Sequence, residues 1–259
     1  MFNDLLRIGP VTIHGYGLMI GIGILCALLV ADKRAKNKGL NASIIYSLGI
    51  FALIIGFVCA KLLYCIVDIG EFMNNPMAVL SGNGFVVYGG LIGGLVASMI
   101  YCKFKKVSFL QYFDLAAPSI ALAQGFGRVG CFLAGCCYGR ETDSCIGIVF
   151  HNSLLAPNDI KLIPTQLFSS AGNFLIALAL FLYARKGPRT GRIGALYLVL
   201  YSVGRFGIEF FRDDYRGNVG ALSTSQLISI FVFVIGMAMF FCCRNSRIGK
   251  LEPPYAKRS

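Results

Sequence analysis

Long apolar runs separated by short polar breaks dominate this chain. Seven runs have spanning length, at residues 14–31, 43–67, 84–101, 112–133, 164–184, 193–211 and 221–243. A hydrocarbon core of about 30 Å takes about 20 helical residues to cross. A helix satisfies all its backbone groups internally, as lipid demands. The pattern predicts an all-α polytopic membrane protein with seven transmembrane helices, folded as a single integral membrane domain over 1–259.

Composition agrees. Hydrophobic residues make up 56% of the 259 and charged residues 14%, against about 25% charged in soluble domains. Mean hydropathy is +0.71. The net charge of +12 would suggest a nucleic-acid partner in a soluble protein, but its distribution argues otherwise. Four breaks (DKRAKNKG, CKFKK, ARKGPRTGR, and RNSRIGK with AKRS) hold 16 of the 24 Lys and Arg residues. The alternate breaks, such as DIGEFMNNP and RDDYRGN, are neutral or mixed. Positive charge marks cytoplasmic loops, so the N-terminus is expected outside and the C-terminus in the cytoplasm. The lipid bilayer is then the expected partner, and no nucleic acid is.

A cleavable leader carries its basic residues before the apolar run. Here they follow it, which predicts an uncleaved first helix. Glycines 15, 17, 21 and 23 in the first run and 89, 90, 93 and 94 in the third are spaced for close helix contact. No repeat is apparent, so the usual transporter signature is missing. The longest non-spanning stretch, about 134–163, is expected outside, helping to shape a site that faces the outer leaflet.

Residues 125–141 read GFGRVGCFLAGCCYGRE. The Gly125-x-Gly127-x-x-Gly130 spacing matches a dinucleotide fingerprint. That fingerprint needs a strand before it and a helix after it, whereas these glycines end a spanning run. Cys131, Cys136, Cys137 and Cys145 are crowded into fifteen residues. Four readings stay open for them: apolar packing, a disulfide such as Cys145 with Cys136 or Cys137, a metal site, or a reactive thiol. No metal and no cofactor is assigned.

Charges inside the runs point more sharply. Arg128 stands between Gly127 and Gly130, Lys61 interrupts the second run, and Arg205, Glu209 and Arg212 follow at i, i+4 and i+7 in the sixth. Such charges are costly in lipid and face an interior cavity and a partner. With the expected topology, four cations and one carboxylate fall in the outer half of the bundle. That excess predicts a site for an anion, and arginine's fork suits phosphate oxygens. A phospholipid headgroup is the obvious ligand. His14, Tyr16, Tyr64, Tyr88, Tyr138 and Tyr201 cluster at similar depth. Asp114 is expected to be a helix-start or structural partner.

These residues resemble the bacterial phosphatidylglycerol–prolipoprotein diacylglyceryl transferases along most of the chain. IHGYGLMI resembles that family's first-helix motif with His14 and Tyr16. CAKLLY is similar to its basic-plus-tyrosine motif, with Lys61 where arginine is usual and Tyr64 in place. VYGGLIGG puts Tyr88 at a histidine position, while FDLAAP, IPTQLF and GRFGIEFFRDD run in register. Residues 127–139 fall on the signature G-R-x-G-N-F-x-N-x-E-x-x-G. They keep Gly127, Arg128, Gly130 and Gly139, and hold Cys131, Ala134 and Cys136 at the Asn, Asn and Glu places.

The resemblance implies seven helices around a cavity open to the outer leaflet of the bacterial plasma membrane. It implies transfer of the diacylglyceryl group of phosphatidylglycerol to the lipobox cysteine of a preprolipoprotein, forming a thioether and releasing glycerol phosphate. Arg128, Arg205, Tyr16 and Tyr88 are the expected catalytic residues. His14, Lys61, Tyr64, Gly127, Gly130, Gly139, Tyr201, Glu209 and Arg212, with both arginines, are expected to bind the phospholipid. The departures leave room for another acceptor or lipid donor, or for a non-catalytic binder or transporter of an anionic lipid.

Overall fold

Each of the seven apolar runs folds as one helix of at least 18 residues. They are α1 (Gly15–Asn37), α2 (Ala42–Val67), α5 (Val87–Phe104), α6 (Phe109–Ala134), α7 (Thr165–Arg185), α8 (Arg192–Glu209) and α9 (Thr224–Cys242). The computed structural model describes residues 4–8, 11–82, 84–153, 155–213, 218–219 and 222–242. Both ends of the seventh predicted run, and the basic clusters after it, lie outside them. Five helices, α1, α2, α5, α7 and α9, are long and apolar enough to cross a membrane. The other two, α6 and α8, carry the polar groups described below.

Two short helices, α3 (Ile69–Asn74) and α4 (Pro76–Ser81), fill what the sequence pattern marked only as a break. Asn75 explains the second: its side chain accepts from the Ala78 N–H at 3.2 Å, and Pro76 occupies the first turn, where its missing N–H costs nothing. Three short antiparallel strand pairs complete the described structure. They are β1 (Asp4–Ile8) with β2 (Val11–His14), β3 (Ile148–Val149) with β4 (Lys161–Leu162), and β5 (Asn218–Val219) with β6 (Leu222–Ser223). His14 thus ends a strand, and the first helix begins one residue later.

The chain divides into two compact units, Ala35–Tyr112 and Met1–Arg34 with Phe113–Ser259. In the first, glycine lets α2 and α5 touch backbone to backbone. A Cβ at Gly89 would lie 2.5 Å from the Cys59 carbonyl oxygen, and one at Gly93 would lie 2.4 Å from the Cys59 Cβ. These two glycines serve helix contact, as their spacing predicts. The first run departs from that expectation. Gly23 meets Phe126 of α6, but a Cβ at Gly17 or Gly21 would have no described atom within 4 Å. Glycine spacing alone does not tell which face of a helix is packed.

In the second unit, α6, α7 and α8 share a core of Ala117, Ala121, Ala177, Leu180, Ile193 and Tyr197. Asp114, fully buried, joins α6 to the start of α8, accepting from the N–H groups of Gly191 and Gly194. The helix-cap residue Gly191 has no side chain to do this itself, so a carboxylate from the neighbouring helix supplies the acceptor and the negative charge that a helix start favours. The structural role expected for Asp114 is what the fold shows. One turn later Pro118 lacks an N–H and leaves the Asp114 carbonyl without its helical donor. Arg34 reaches in from α1, donating to the Leu115 and Asp114 carbonyls while its guanidinium lies 5.5 Å from the Phe181 ring centre.

Replacing Asp114 with alanine would strand two buried N–H groups. Each costs about 1–3 kcal/mol when left unsatisfied, so Asp114→Ala should lower the melting temperature of the detergent-solubilised protein clearly. A melting curve that overlays the wild type would refute this role.

Candidate phospholipid site

The C-terminus of α6 sets the geometry of the signature stretch. Gly135, at φ 72°, lets its N–H bond the Phe132 carbonyl at 3.1 Å, while the Cys136 N–H bonds the Cys131 carbonyl at 3.1 Å. This paired pattern is the Schellman stop, which needs a left-handed residue just past the helix. It folds the chain back so that Cys136 returns to Cys131, with its sulfur 3.7 Å from the Cys131 carbonyl oxygen. Cys137 is itself left-handed, at φ 62°, an uncommon setting for a residue with a side chain. Two consecutive side chains at the start of α7 hold that turn. Gln166 donates to the Cys136 carbonyl at 2.8 Å, and Thr165 donates to the Cys137 carbonyl at 2.7 Å. The sulfurs of Cys131, Cys136 and Cys137 lie within 4.8 Å of one another. All nine described cysteines are thiols, so no disulfide joins any two of them. Hydrogen bonding with the Cys131 thiol, more than burial, pushes the Cys136 thiol up from its ordinary range.

The stretch after this turn is tied down as well. Phe150, Ala156 and Leu162 form a small core with Phe132 and Tyr138. Gly139 pairs with Arg212 just beyond α8, and the Arg140 N–H bonds the Phe211 carbonyl at 3.0 Å. The residues between α6 and α7 therefore brace the far end of α8, where the charges sit.

Arg128 on α6 and Arg205 on α8 line one cavity of about 110 Å³, with Tyr201, Gly204 and Ile208 of α8 and Phe168, Ser169, Gly172, Asn173 and Ile176 of α7. Arg205 is held from two sides. Its Nη1 lies 2.7 Å from Glu209 Oε2, and its Nη2 donates to Ser225 Oγ at 2.8 Å. Glu209 accepts from Ser223 Oγ at 2.9 Å and lies 3.9 Å from Arg212 Nε. The expected helical row of Arg205, Glu209 and Arg212 is cut short, since α8 ends at Glu209 and Arg212 falls in the turn beyond. Arg212 is nevertheless buried at 7% exposure. One carboxylate thus serves two arginines, and among the described residues Arg128 makes no ion pair at all. The cavity carries an excess of positive charge that the described residues do not neutralise.

The remaining expected site residues divide. Tyr16 on α1 packs over Gly130, where a Cβ would lie 3.2 Å from both its ring and the Met19 Cβ. Gly130 therefore serves helix packing. Gly127 has open space beside it, and Gly139 is wedged between the Phe211 and Ile163 carbonyl oxygens, 2.6 and 2.7 Å from a Cβ. Lys61, Tyr64 and Tyr88 belong to the other unit. There Lys61 donates to the Gly82 and Gly84 carbonyls at 2.8 and 3.2 Å, with its ammonium over the Tyr64 and Phe85 rings. Tyr88 is exposed in the first turn of α5, and His14 is exposed at the end of β2. Sequence reading missed Ser169, Asn173, Ser223 and Ser225. Ser169 and Asn173 did leave a trace, as polar residues four apart in an apolar run.

The described structure is that of a polytopic helical membrane protein with a cavity between α6, α7 and α8 that two arginines line. Residues 3–242 match the family model described as prolipoprotein diacylglyceryl transferase. The phosphatidylglycerol–prolipoprotein diacylglyceryl transferase of Clostridium tetani is 51% identical over 229 residues, covering 88% of this chain and 92% of that protein. Transferase 2 of Clostridium perfringens is 45% identical over 88% of this chain and 90% of its own length. The enzyme of Oceanobacillus iheyensis is 30% identical over 93% and 88%. The chain belongs to the prolipoprotein diacylglyceryl transferase family.

The two signature glycines predict opposite outcomes. Gly127→Ala should fold with an unchanged melting temperature. Gly139→Ala drives a carbon into two carbonyl oxygens and should cost about 1–3 kcal/mol, as overpacking does. Thermal unfolding of both variants in detergent checks this, and equal melting curves would contradict it.

Proposed function

We propose that this chain transfers the diacylglyceryl group of phosphatidylglycerol to the lipobox cysteine of a prolipoprotein. The observation that carries the reading is the cavity between α6, α7 and α8, lined by two guanidinium groups of which Arg128 has no carboxylate partner among the described residues. A lipid phosphodiester supplies the missing negative charge. Seven spans, an outside N-terminus and a cavity entered sideways from the outer leaflet of the plasma membrane complete the proposal. The alternation of basic breaks along the chain supports that orientation.

In the reaction the acceptor thiol loses its proton, its sulfur forms a bond to the glycerol carbon, and the bond from that carbon to the phosphate oxygen breaks. Glycerol phosphate leaves with the bonding electrons. Arg128 and Arg205 face the charge that grows on the departing phosphate, and fixed donors of this kind act best in a site that excludes water. Glu209 and Ser225 hold Arg205 in place while leaving Arg128 free for the ligand. Tyr201 and Asn173 add polar atoms to the same cavity. The roles of His14, Tyr16, Lys61, Tyr64 and Tyr88 toward lipid and reaction rest on the family resemblance.

The test is product formation. Purified protein with phosphatidylglycerol and a lipobox peptide should give the diacylglyceryl thioether, read by mass spectrometry. Arg128→Ala should lower the rate by about 100-fold or more, the usual loss for one transition-state donor. Arg128→Lys should recover part of it. Lipid retained by folded protein without any thioether would overturn the reading in favour of a binder.

A further inference from the structure

We propose that Cys131, Cys136 and Cys137 bind one zinc-class divalent ion as thiolates, leaving a fourth coordination position for the thiol of the acceptor protein. The second half of this statement rests on the transferase reading above. The first half does not.

Geometry supports the site. Tetrahedral thiolates about 2.3 Å from zinc stand about 3.8 Å apart, and the three sulfurs here already lie within 4.8 Å of one another. Adjacent cysteines seldom reach one ion, because neighbouring side chains diverge. The left-handed backbone of Cys137 removes that objection, bringing it beside Cys136. The helix stop returns both to Cys131. The turn is held by Gln166 and Thr165 on the carbonyls of the two loop cysteines, so the ligands are placed before any ion arrives.

The chemistry required of the family gives the site a use. The acceptor thiol must be ionised to attack carbon, and its free pKa is about 8.5. A three-ligand ion with an open position is the arrangement of catalytic zinc. The acceptor thiol binds there and gives its proton to solvent. Its metal-bound sulfur then forms the bond to the glycerol carbon as glycerol phosphate departs, and the thioether, a weaker ligand, leaves the ion.

Cobalt(II) titrated into the reduced, metal-free, full-length protein in detergent reads the site without activity. Sulfur-to-cobalt charge-transfer absorption should saturate at one ion per chain and strengthen as pH rises, because binding releases protons. Cys131→Ser, Cys136→Ser and Cys137→Ser should each weaken binding by about 100-fold or more, beyond the 10–100-fold typical of a lost supporting contact. Cys145→Ser, exposed and outside the cluster, should leave it unchanged. In the unsubstituted protein, zinc should block alkylation of the three cysteines, a result independent of how the variants fold. A lipobox peptide should then raise the charge-transfer intensity, and the same peptide with serine for cysteine should not.

No stoichiometric cobalt band from folded protein overturns the site, even if the thioether still forms. A band that ignores the cysteine peptide overturns the open position. A band and a peptide response without any thioether product leave the site standing and overturn the transferase reading.

Discussion

Two arginines, Arg128 and Arg205, line one cavity in an apolar helical bundle, and the only carboxylate described beside them, Glu209, is already engaged by Arg205 and Arg212. Two like charges beside one cavity of an apolar bundle are costly without a counter-charge, and the anion proposed above supplies it. Much of the second unit is explained by that requirement, because something must keep two like charges aimed at one space. Ser225 in the first turn of α9 and Ser223 at the end of β6 fix the Arg205–Glu209 pair. The loop after α6 crosses to the end of α8 and buries Arg212.

The same unit shows how membrane helices satisfy polar groups without water. Asp114 caps a neighbouring helix whose own cap residue is glycine. Arg34 covers the carbonyl region that Pro118 leaves exposed. Each is a charged side chain in an apolar segment, and each has a backbone partner to account for it. Arg128 is the exception among the described residues. On the proposed reading, that contrast separates a residue held for folding from one held for a ligand.

The seven helices were legible because apolar runs of spanning length have few other ways to fold in lipid. Arg128, Arg205 and Glu209 were legible for the complementary reason, as charges where charges do not belong. What escaped was set by local backbone geometry or by partners distant in sequence. Asn75 and Pro76 start a helix inside an apparent loop. Gly17 and Gly21 match the contact spacing of Gly23 yet face open space. The meeting of three cysteines depends on a helix stop and one left-handed residue, which spacing in the sequence does not reveal. Ser223 and Ser225 look like ordinary helix-start residues until α8 is placed beside them.

The central claim is that the surplus charge between α6 and α8 belongs to a lipid phosphate. The most direct measurement is an experimental structure of the protein in a bilayer disc containing phosphatidylglycerol. The account predicts phosphate density in the cavity within hydrogen-bonding reach, about 3 Å, of both the Arg128 and Arg205 guanidinium groups. An occupied lipid whose phosphate sits elsewhere, with Arg128 turned to a carboxylate of the protein, would contradict it.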